Sequence, residues 1–482
     1  MYCLRTLFRT IWNFILGYNF FYYSSNVLAV QEVLSVPIYI RKNATPLRDQ
    51  EGDHTCTIFR TKRMLAKYPG LSIRASSHAS PVSIHPPSAA LAIKDFQDVE
   101  YYGVVGIGTP KQTLNVLLDT GSSSFWVSGA TTQLSDGSPS LQTSTTGPMF
   151  NASYSSSFRI TPKTYRITYG DNSFAYGAIA KETISQGPYH VKNVSFGIVN
   201  ETSSAIFVSD ASGIMGMGFG ELDPSGPSPF WSVAGIDTFA FGIARFNGSS
   251  LSASEPGGIL TLGGFNNSLF KGPINYISVS HKGYWKIPLD YVIINGIHVK
   301  GLQNNSAVID TGTNLIGAPS VFAKYIYGAI PGSQEGRDIY QGYYFIPCNS
   351  NVSLTFYFGG KAYEISPEDF SLDETSWDEQ LCLGAVFSTD SEFNTDGHLW
   401  LMGTTFLKNV YTIFKTSTPS VGFAYPVDNY QYLLGGNHFG KGSHILKNHG
   451  SSIILKISIT PFYSVMVSIW FFPFFLKGYL QL

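Results

Sequence analysis

The sequence predicts an all-β protein of two related lobes, and three observations predict it. Only 13% of the 482 residues are charged, while 15% are aromatic and 48 are glycine. Globular chains usually carry about 25% charged residues, so this composition excludes a disordered chain, a coiled coil and a helical bundle. Second, short aromatic and β-branched runs alternate with Gly- and Pro-rich turns, the pattern of strands. Third, one motif occurs twice: Val116-Leu117-Leu118-Asp119-Thr120-Gly121-Ser122 returns as Ala307-Val308-Ile309-Asp310-Thr311-Gly312-Thr313. An apolar pair ending in glycine follows each copy, as Ile214-Met215-Gly216 and Leu401-Met402-Gly403. That order, twice over, implies a duplicated lobe of roughly 160 to 180 residues, with the halves facing each other.

In chain order, Arg5 and Arg9 precede an uncharged run, residues 10–31, that contains Val27-Leu28-Ala29. Residues 1–29 are expected to be a signal peptide cut after Ala29; the run is also long enough for an uncleaved anchor. Residues 30–90 form a basic stretch, with eight Lys and Arg against four Asp and Glu over 31–90. Its last part, 78–90, is rich in Ser, Pro and Ala and reads as a flexible junction. Strands are expected over 101–107, 113–118 and 165–169, with Gly108-Thr109-Pro110 as a turn. Gly170-Asp171-Asn172-Ser173 reads as a hairpin turn, because Gly and Asn tolerate positive φ. Residues 130–146 read as a surface loop, 229–233 as a helical turn and 319–327 as a helix. The lobes are placed at 91–265 and 266–430, followed by a linker over 431–456. Finally, Lys456 and Lys477 bracket the uncharged residues 457–476. This tail is long enough for one spanning helix, although Pro461 and Pro473 interrupt it. A lipid-anchor signal, with Gly450, Ser451 and Ser452 ahead of the apolar run, is the second reading. A tail of no consequence is the third.

Charge is unevenly distributed. Residues 96–431 hold 16 Lys and Arg against 27 Asp and Glu, and so acidic a body would repel nucleic acid. The cysteines are Cys3, Cys56, Cys348 and Cys382. They form no CxxC and no zinc-site spacing, so no metal or cofactor is expected. Cys348 and Cys382 are left as a candidate disulfide inside the body. Asn-x-Ser/Thr acceptors begin at Asn43, Asn151, Asn193, Asn200, Asn247, Asn266, Asn304 and Asn351. With the signal-like start they fit a glycosylated secretory protein.

A strand ending in Asp-Thr-Gly presents a carboxylate at a turn. Its glycine allows close backbone approach, and its threonine can hydrogen-bond across a junction. One such motif is ordinarily just a turn. Two, meeting on a pseudo-twofold axis, would bring Asp119 and Asp310 together. Like charges that close share one proton in acid. A half-protonated pair holding a water suits attack on an amide carbonyl. A glycosidase also uses two carboxylates, but its acid and base differ in role and stand further apart.

From about Tyr101 to Val427 the chain resembles the pepsin-like aspartic peptidases of fungal type. Gly106-Ile107-Gly108-Thr109-Pro110, the two Asp-Thr-Gly loops, Trp126, Tyr169-Gly170-Asp171, Tyr284-Trp285 and Leu401-Met402-Gly403 carry the resemblance in order. The resemblance implies a bilobal fold with a pseudo-twofold active-site cleft and a β-hairpin flap. It implies Asp119 and Asp310 as the catalytic pair, supported by Thr120, Gly121, Ser122, Thr311, Gly312 and Thr313. The hydroxyls of Ser122 and Thr313 would donate to the outer carboxylate oxygens. Tyr169, Gly170 and Asp171 would close over substrate, with Trp126 supporting the tyrosine, and Cys348 would bond Cys382. The basic stretch would be an inhibitory propeptide. The sequence departs from the family's pattern at Asn172, Phe174, Thr404 and Lys415, none of them a catalytic group.

The function expected is an aspartic endopeptidase acting in acid on extended peptide and protein substrates. It is expected to be a monomer, secreted or held at the extracellular face of the plasma membrane by its tail, with the vacuole an alternative. A catalytically silent peptide-binding protein of the same fold is the competing reading; such proteins typically lose an aspartate or the flap tyrosine, and all three are present here.

Overall fold

Apolar residues alternating with small and polar ones turn most of the body into strands, and glycines mark where backbones pass closest. The computed structural model describes residues 88–96, 98–134, 147–168, 174–203, 209–246, 254–280, 282–375, 378, 380–389 and 398–434. The sequence readings for 1–29, for 30–87, for the hairpin turn at 169–173 and for the chain beyond 434 lie outside these residues.

One sheet of thirteen strands runs through the body. Six of its strands form a run that draws on both ends of the described chain: Phe270–Ser278, Ser420–Pro426, Tyr411–Lys415, Thr238–Ile243, Glu255–Leu262 and Ala89–Phe96. The sheet then continues through Glu100–Ile107 and Gln112–Asp119 to the hairpin Arg159–Thr168 and Phe174–Gln186 at its far end. Three further sheets, of five, four and four strands, are built from residues 286–402. The protein is thus a β-rich fold with two sheet lobes, as the composition predicts.

The internal repeat becomes a repeated strand arrangement. Gln112–Asp119 pairs in parallel with Gly213–Gly216, which pairs antiparallel with the strand beginning at Phe125. Correspondingly, Ser306–Ile309 pairs in parallel with Leu399–Met402, which pairs antiparallel with Ile316–Pro319. Even the register repeats, with Phe125 opposite Met215 and Ile316 opposite Met402. Each Asp-Thr-Gly loop therefore leaves one strand and returns beside its own apolar-apolar-Gly strand.

Aromatic packing joins the halves. The Trp285 indole is fully buried and donates to Met217 O at 3.0 Å, while its ring lies 4.3 Å from that of Phe219. Burying such rings is worth about 1.5–3 kcal/mol each. Two local readings need correction. Residues 130–134, expected in a loop, continue the strand Phe125–Leu134, with Gln133 and Leu134 paired to Glu201 and Thr202. Polar composition misled there, because a partner strand supplied the ladder bonds that the side chains do not advertise. Second, Ala89 and Ala90, assigned to the basic stretch, open the strand Ala89–Phe96 and pair with Leu262 and Thr261. The helix Ser320–Gly328 and the short helix Phe230–Val233 lie where expected. Among the described residues no helix is long and apolar enough to cross a membrane.

Candidate active site

Strand Gln112–Asp119 ends on a carboxylate 1% exposed, and the strand before Asp310 ends on one fully buried. The two loops that follow interlock. Thr120 Oγ1 donates to Ile309 O at 2.9 Å and Thr311 Oγ1 donates to Leu118 O at 2.7 Å. Reciprocally, Thr120 N–H donates to Thr311 Oγ1 at 3.0 Å and Thr311 N–H donates to Thr120 Oγ1 at 2.9 Å. These four bonds satisfy buried backbone groups on both sides, so neither loop can shift without orphaning them.

Each carboxylate is held the same way. Gly121 N–H donates to Asp119 Oδ1 at 2.9 Å, and Gly312 N–H to Asp310 Oδ1 at 2.8 Å. Ser122 Oγ–H donates to Asp119 Oδ2 at 2.5 Å, and Thr313 Oγ1–H to Asp310 Oδ2 at 2.6 Å. A Cβ added at Gly121 would lie 2.5 Å from the carboxyl atoms of Asp310, so the first loop touches the second carboxylate. Only glycine allows that approach. Two carboxylates on touching loops, each with donors on both oxygens, can carry one shared negative charge and leave one proton for transfer.

The apolar-apolar-Gly segments hold these loops from behind. Gly216 N–H donates to Ser124 O at 3.0 Å, and Gly403 N–H to Leu315 O at 3.2 Å. Gly218 N–H reaches Ser122 O and Thr404 N–H reaches Thr313 O, each at 2.7 Å. Thr404 is buried, and its hydroxyl donates to Asn314 O at 3.3 Å, so this departure from the family's pattern sits directly against the second loop.

The remaining predicted residues fall into three groups. Trp126, on the strand Phe125–Leu134, is 1% exposed and packs in a cluster with Tyr165, Val199 and Ile214. Tyr169, Gly170 and Asp171 lie outside the described residues; the hairpin leading to them is present, with Thr168 opposite Phe174. Phe174 is half-buried and lies under the Arg166 guanidinium, 6.0 Å from it. Cys348 and Cys382 are disulfide-bonded, tying Tyr344–Pro347 to Leu381–Gly384, strands that also pair. Of the acceptor asparagines, Asn43 and Asn247 lie outside the described residues. Asn193, Asn200, Asn304 and Asn351 are exposed, whereas Asn151 and Asn266 are half-buried and accept from Ser153 N–H and Ser268 N–H at 3.0 Å.

Sequence reasoning missed Asp223 and Thr405 as neighbours of the site, and named Tyr284 without giving it a role there. Asp223 accepts from Ser124 Oγ at 2.7 Å and from Gly226 N–H at 2.9 Å, pinning the residues after the first loop. Asp223-Pro224-Ser225-Gly226 is a turn signal, but nothing local names Ser124 as its partner. Tyr284 is buried near the carboxylates. Burial pushes its phenol far above the ordinary value, with the charges of Asp310 and Asp119 adding to the shift, so it stays neutral. Thr405 donates its N–H to Asn314 O at 2.7 Å.

Comparison with known proteins agrees with this geometry. The family model described as Eukaryotic aspartyl protease matches residues 100–426. Major aspartyl peptidase 1 of Cryptococcus neoformans is 36% identical over 363 residues, covering 72% of this chain and 71% of that protein. Cathepsin D of Gallus gallus is 31% identical over 339 residues, covering 69% of this chain and 82% of its own. Pepsin A of Sus scrofa is 30% identical over 362 residues, covering 72% and 87%.

Proposed function

The chain belongs to the eukaryotic aspartyl protease family and is an aspartic-type endopeptidase, and we propose that Asp119 and Asp310 are its catalytic pair. The contact of the first loop with the Asp310 carboxyl, through Gly121, is the observation that carries this reading. In acid the pair holds one proton and a water. The ionised carboxylate takes a proton from the water as its oxygen bonds to the amide carbon, and the protonated partner gives its proton to the carbonyl oxygen. A tetrahedral diol forms. Proton transfer to the amide nitrogen then lets the C–N bond break, and the products are a carboxylic acid and an amine.

Thr120 and Thr311 lock the loops, Gly121 and Gly312 hold the inner oxygens, and Ser122 and Thr313 hold the outer ones. Tyr169, Gly170 and Asp171 close over an extended peptide, with Trp126 behind them. Broad sequence tolerance follows, since main-chain hydrogen bonds to an extended peptide do not read side chains. The finer kinship is fungal, supported by the 36% identity to the Cryptococcus peptidase. The acceptor asparagines and signal-like start support a glycosylated secretory protein, a monomer whose tail over 457–476 holds it at a membrane. Residues 30–87 act as inhibitory propeptide. Maturation cuts between His78 and Ser88, because a later cut would remove a strand that begins at Ala89 and pairs along Glu255–Leu262. Its excess positive charge against an acidic body weakens as carboxylates protonate, so activation belongs to acid.

The test is hydrolysis of denatured haemoglobin by mature protein at roughly pH 3 to 5, where such a pair is half-protonated. Wild type should cleave and be silenced by pepstatin, while Asp119→Asn and Asp310→Asn should each fall about 100-fold or more in kcat. Inert mature wild type, or either variant retaining more than about a tenth of that activity, contradicts the assignment.

A further inference from the structure

Behind the second catalytic loop lies a network of buried charges that the reaction itself does not use. Lys408 is 5% exposed in its side chain, and its ammonium stands 3.3 Å from Asp98 Oδ1 and 3.3 Å from Asp369 Oδ1. Asp98 belongs to the turn between Ala89–Phe96 and Glu100–Ile107, and accepts from the Tyr101 hydroxyl at 2.6 Å and Phe246 N–H at 3.3 Å. Asp369 belongs to the short helix Pro367–Phe370 and takes Arg245 Nη2 at 2.6 Å and Asn409 Nδ2 at 2.8 Å. Arg245 follows the strand Thr238–Ile243 and also meets the exposed Glu368 at 3.2 Å. Asp95, on the first strand, is fully buried, accepts Asp98 N–H at 2.8 Å through Oδ1, and stands opposite Glu255 in register. Its Oδ2 has no hydrogen-bond partner among the described residues.

Lys408 also terminates the one-turn helix Thr404–Leu407, donating its N–H to Thr404 O at 2.9 Å. The first two N–H groups of that helix are the ones that hold Thr313 O and Asn314 O, each at 2.7 Å. A charge held between the first strand, the helix Pro367–Phe370 and the residues after Thr238–Ile243 is therefore one helical turn from the loop carrying Asp310.

We propose that Lys408 is a positioning residue for the second catalytic loop, and that the buried ion network around it sets the upper pH at which the loop keeps its working geometry. The inference rests on the assignment of Asp310 to catalysis. In acid, Asp95 keeps its proton because burial holds its carboxyl well above the ordinary range, while Asp369 is held below that range by Lys408 and Arg245 and stays paired with them. Lys408 stands against Asp98 and Asp369, and Arg245 against Asp369, in surroundings that solvate charge poorly, so losing the Lys408 ammonium strands buried negative charge at a cost that grows with pH. Burial pulls the Lys408 ammonium down, but Asp98 and Asp369 outweigh it and hold the group above its ordinary value. Lys408, held between Asp98 of the first lobe and Asp369 of the second, thus stays charged across the working range. Without it, the helix at Thr404 loses its anchor first on the alkaline side.

The experiment compares pH profiles of kcat and KM for wild type, Lys408→Met, Lys408→Arg and the pair Lys408→Met with Asp98→Asn, using mature protein and a haemoglobin-type substrate. Lys408→Met should move the alkaline limb of kcat down by about one pH unit, with KM nearly unchanged. Lys408→Arg should keep most of the wild-type limb, and the double variant should recover it, because the stranded carboxylate is removed with its partner. An unmoved limb in Lys408→Met, or an equal loss at every pH that the double variant does not relieve, overturns the proposal. If Lys408→Met does not fold, a double variant that folds with the wild-type limb supports the idea, and one that is unfolded or still limited in base defeats it. Loss of activity in Asp310→Asn reports on the catalytic assignment separately, so an inert wild type would indict that assignment and not the network.

Discussion

Thr120 does more for the site than its place in a three-residue motif suggests. Its hydroxyl gives one bond to Ile309 O and takes one from Thr311 N–H, both across the junction between the repeated loops. Thr120→Val keeps the shape but leaves a buried carbonyl and a buried N–H unmatched, each costing about 1–3 kcal/mol. The variant should therefore lose about 2 to 6 kcal/mol of stability, measured by denaturant unfolding, with kcat falling as the loops part. Thr120→Ser keeps the hydroxyl and should lose less than half as much. Equal losses in the two variants would mean that the methyl group, and not the bonding, matters. The four interlocking bonds thus convert a repeat in the sequence into a fixed relation between two carboxylates.

Short elements carry constraints as strict as those on single residues. The strand Leu399–Met402 ends at Gly403, where an added Cβ would lie 2.4 Å from Leu315 O and 2.5 Å from Thr313 O. Both contacts are to backbone of the second loop and cannot be relieved by a rotamer change. Gly403→Ala should cost about 1–3 kcal/mol in stability and lower kcat more than it raises KM, because the displaced atoms belong to the loop holding Asp310. Gly264→Ala is the control: its added Cβ would approach only Ser88 Cβ, at 3.8 Å. Steady-state kinetics with thermal melts on both variants would separate the cases, and a Gly403→Ala enzyme with wild-type kcat would show that the loop yields cheaply. Gly216 repeats this arrangement in the other half, with 2.4 Å to Ser123 C. The apolar-apolar-Gly echo is therefore a packing requirement of the duplicated loop.

Across the whole molecule, stability should fall on the basic side, and the sign follows from the buried carboxylates. Burial, then the charge of Asp98 and that of Glu255, hold Asp95 well above the ordinary aspartate range against the pull of Lys408. The unfolded chain gives up that proton near pH 4, while the folded protein keeps it. Folding then takes up a proton, so stability is complete below that pH and is lost as pH rises towards the folded value. Asp369 works oppositely: burial raises it, but Lys408 and Arg245 outweigh burial and hold it below the ordinary range. Its contribution is present above about pH 4 and disappears as pH falls through its lowered value. Asp95→Asn removes the first liability, since an amide oxygen can still accept Asp98 N–H. Its melting temperature should match wild type in acid and exceed it near neutrality. A melting temperature below wild type near neutral pH would show that the ionised Asp95 is a net benefit. The shared sheet makes this a property of the entire fold, because Asp95 lies on a strand inside the thirteen-stranded sheet, between Glu255–Leu262 and Glu100–Ile107.

What the sequence determined by itself was whatever repeats or alternates at short range. The two Asp-Thr-Gly loops, their apolar-apolar-Gly partners, the strands around them and the helix Ser320–Gly328 were legible because local pattern and packing agree there. The strand through residues 130–134 was not, since its Ser- and Thr-rich surroundings carry no alternation and its order comes from a neighbour. Nor was the network of Lys408, Asp98, Asp369 and Arg245, whose members come from four separate stretches of chain. In sequence each is an ordinary charged residue of the kind usually found on a surface. Only the folded chain decides that they are buried together, because the interaction of charges depends on distance and surroundings in space, and separation along the chain reveals neither.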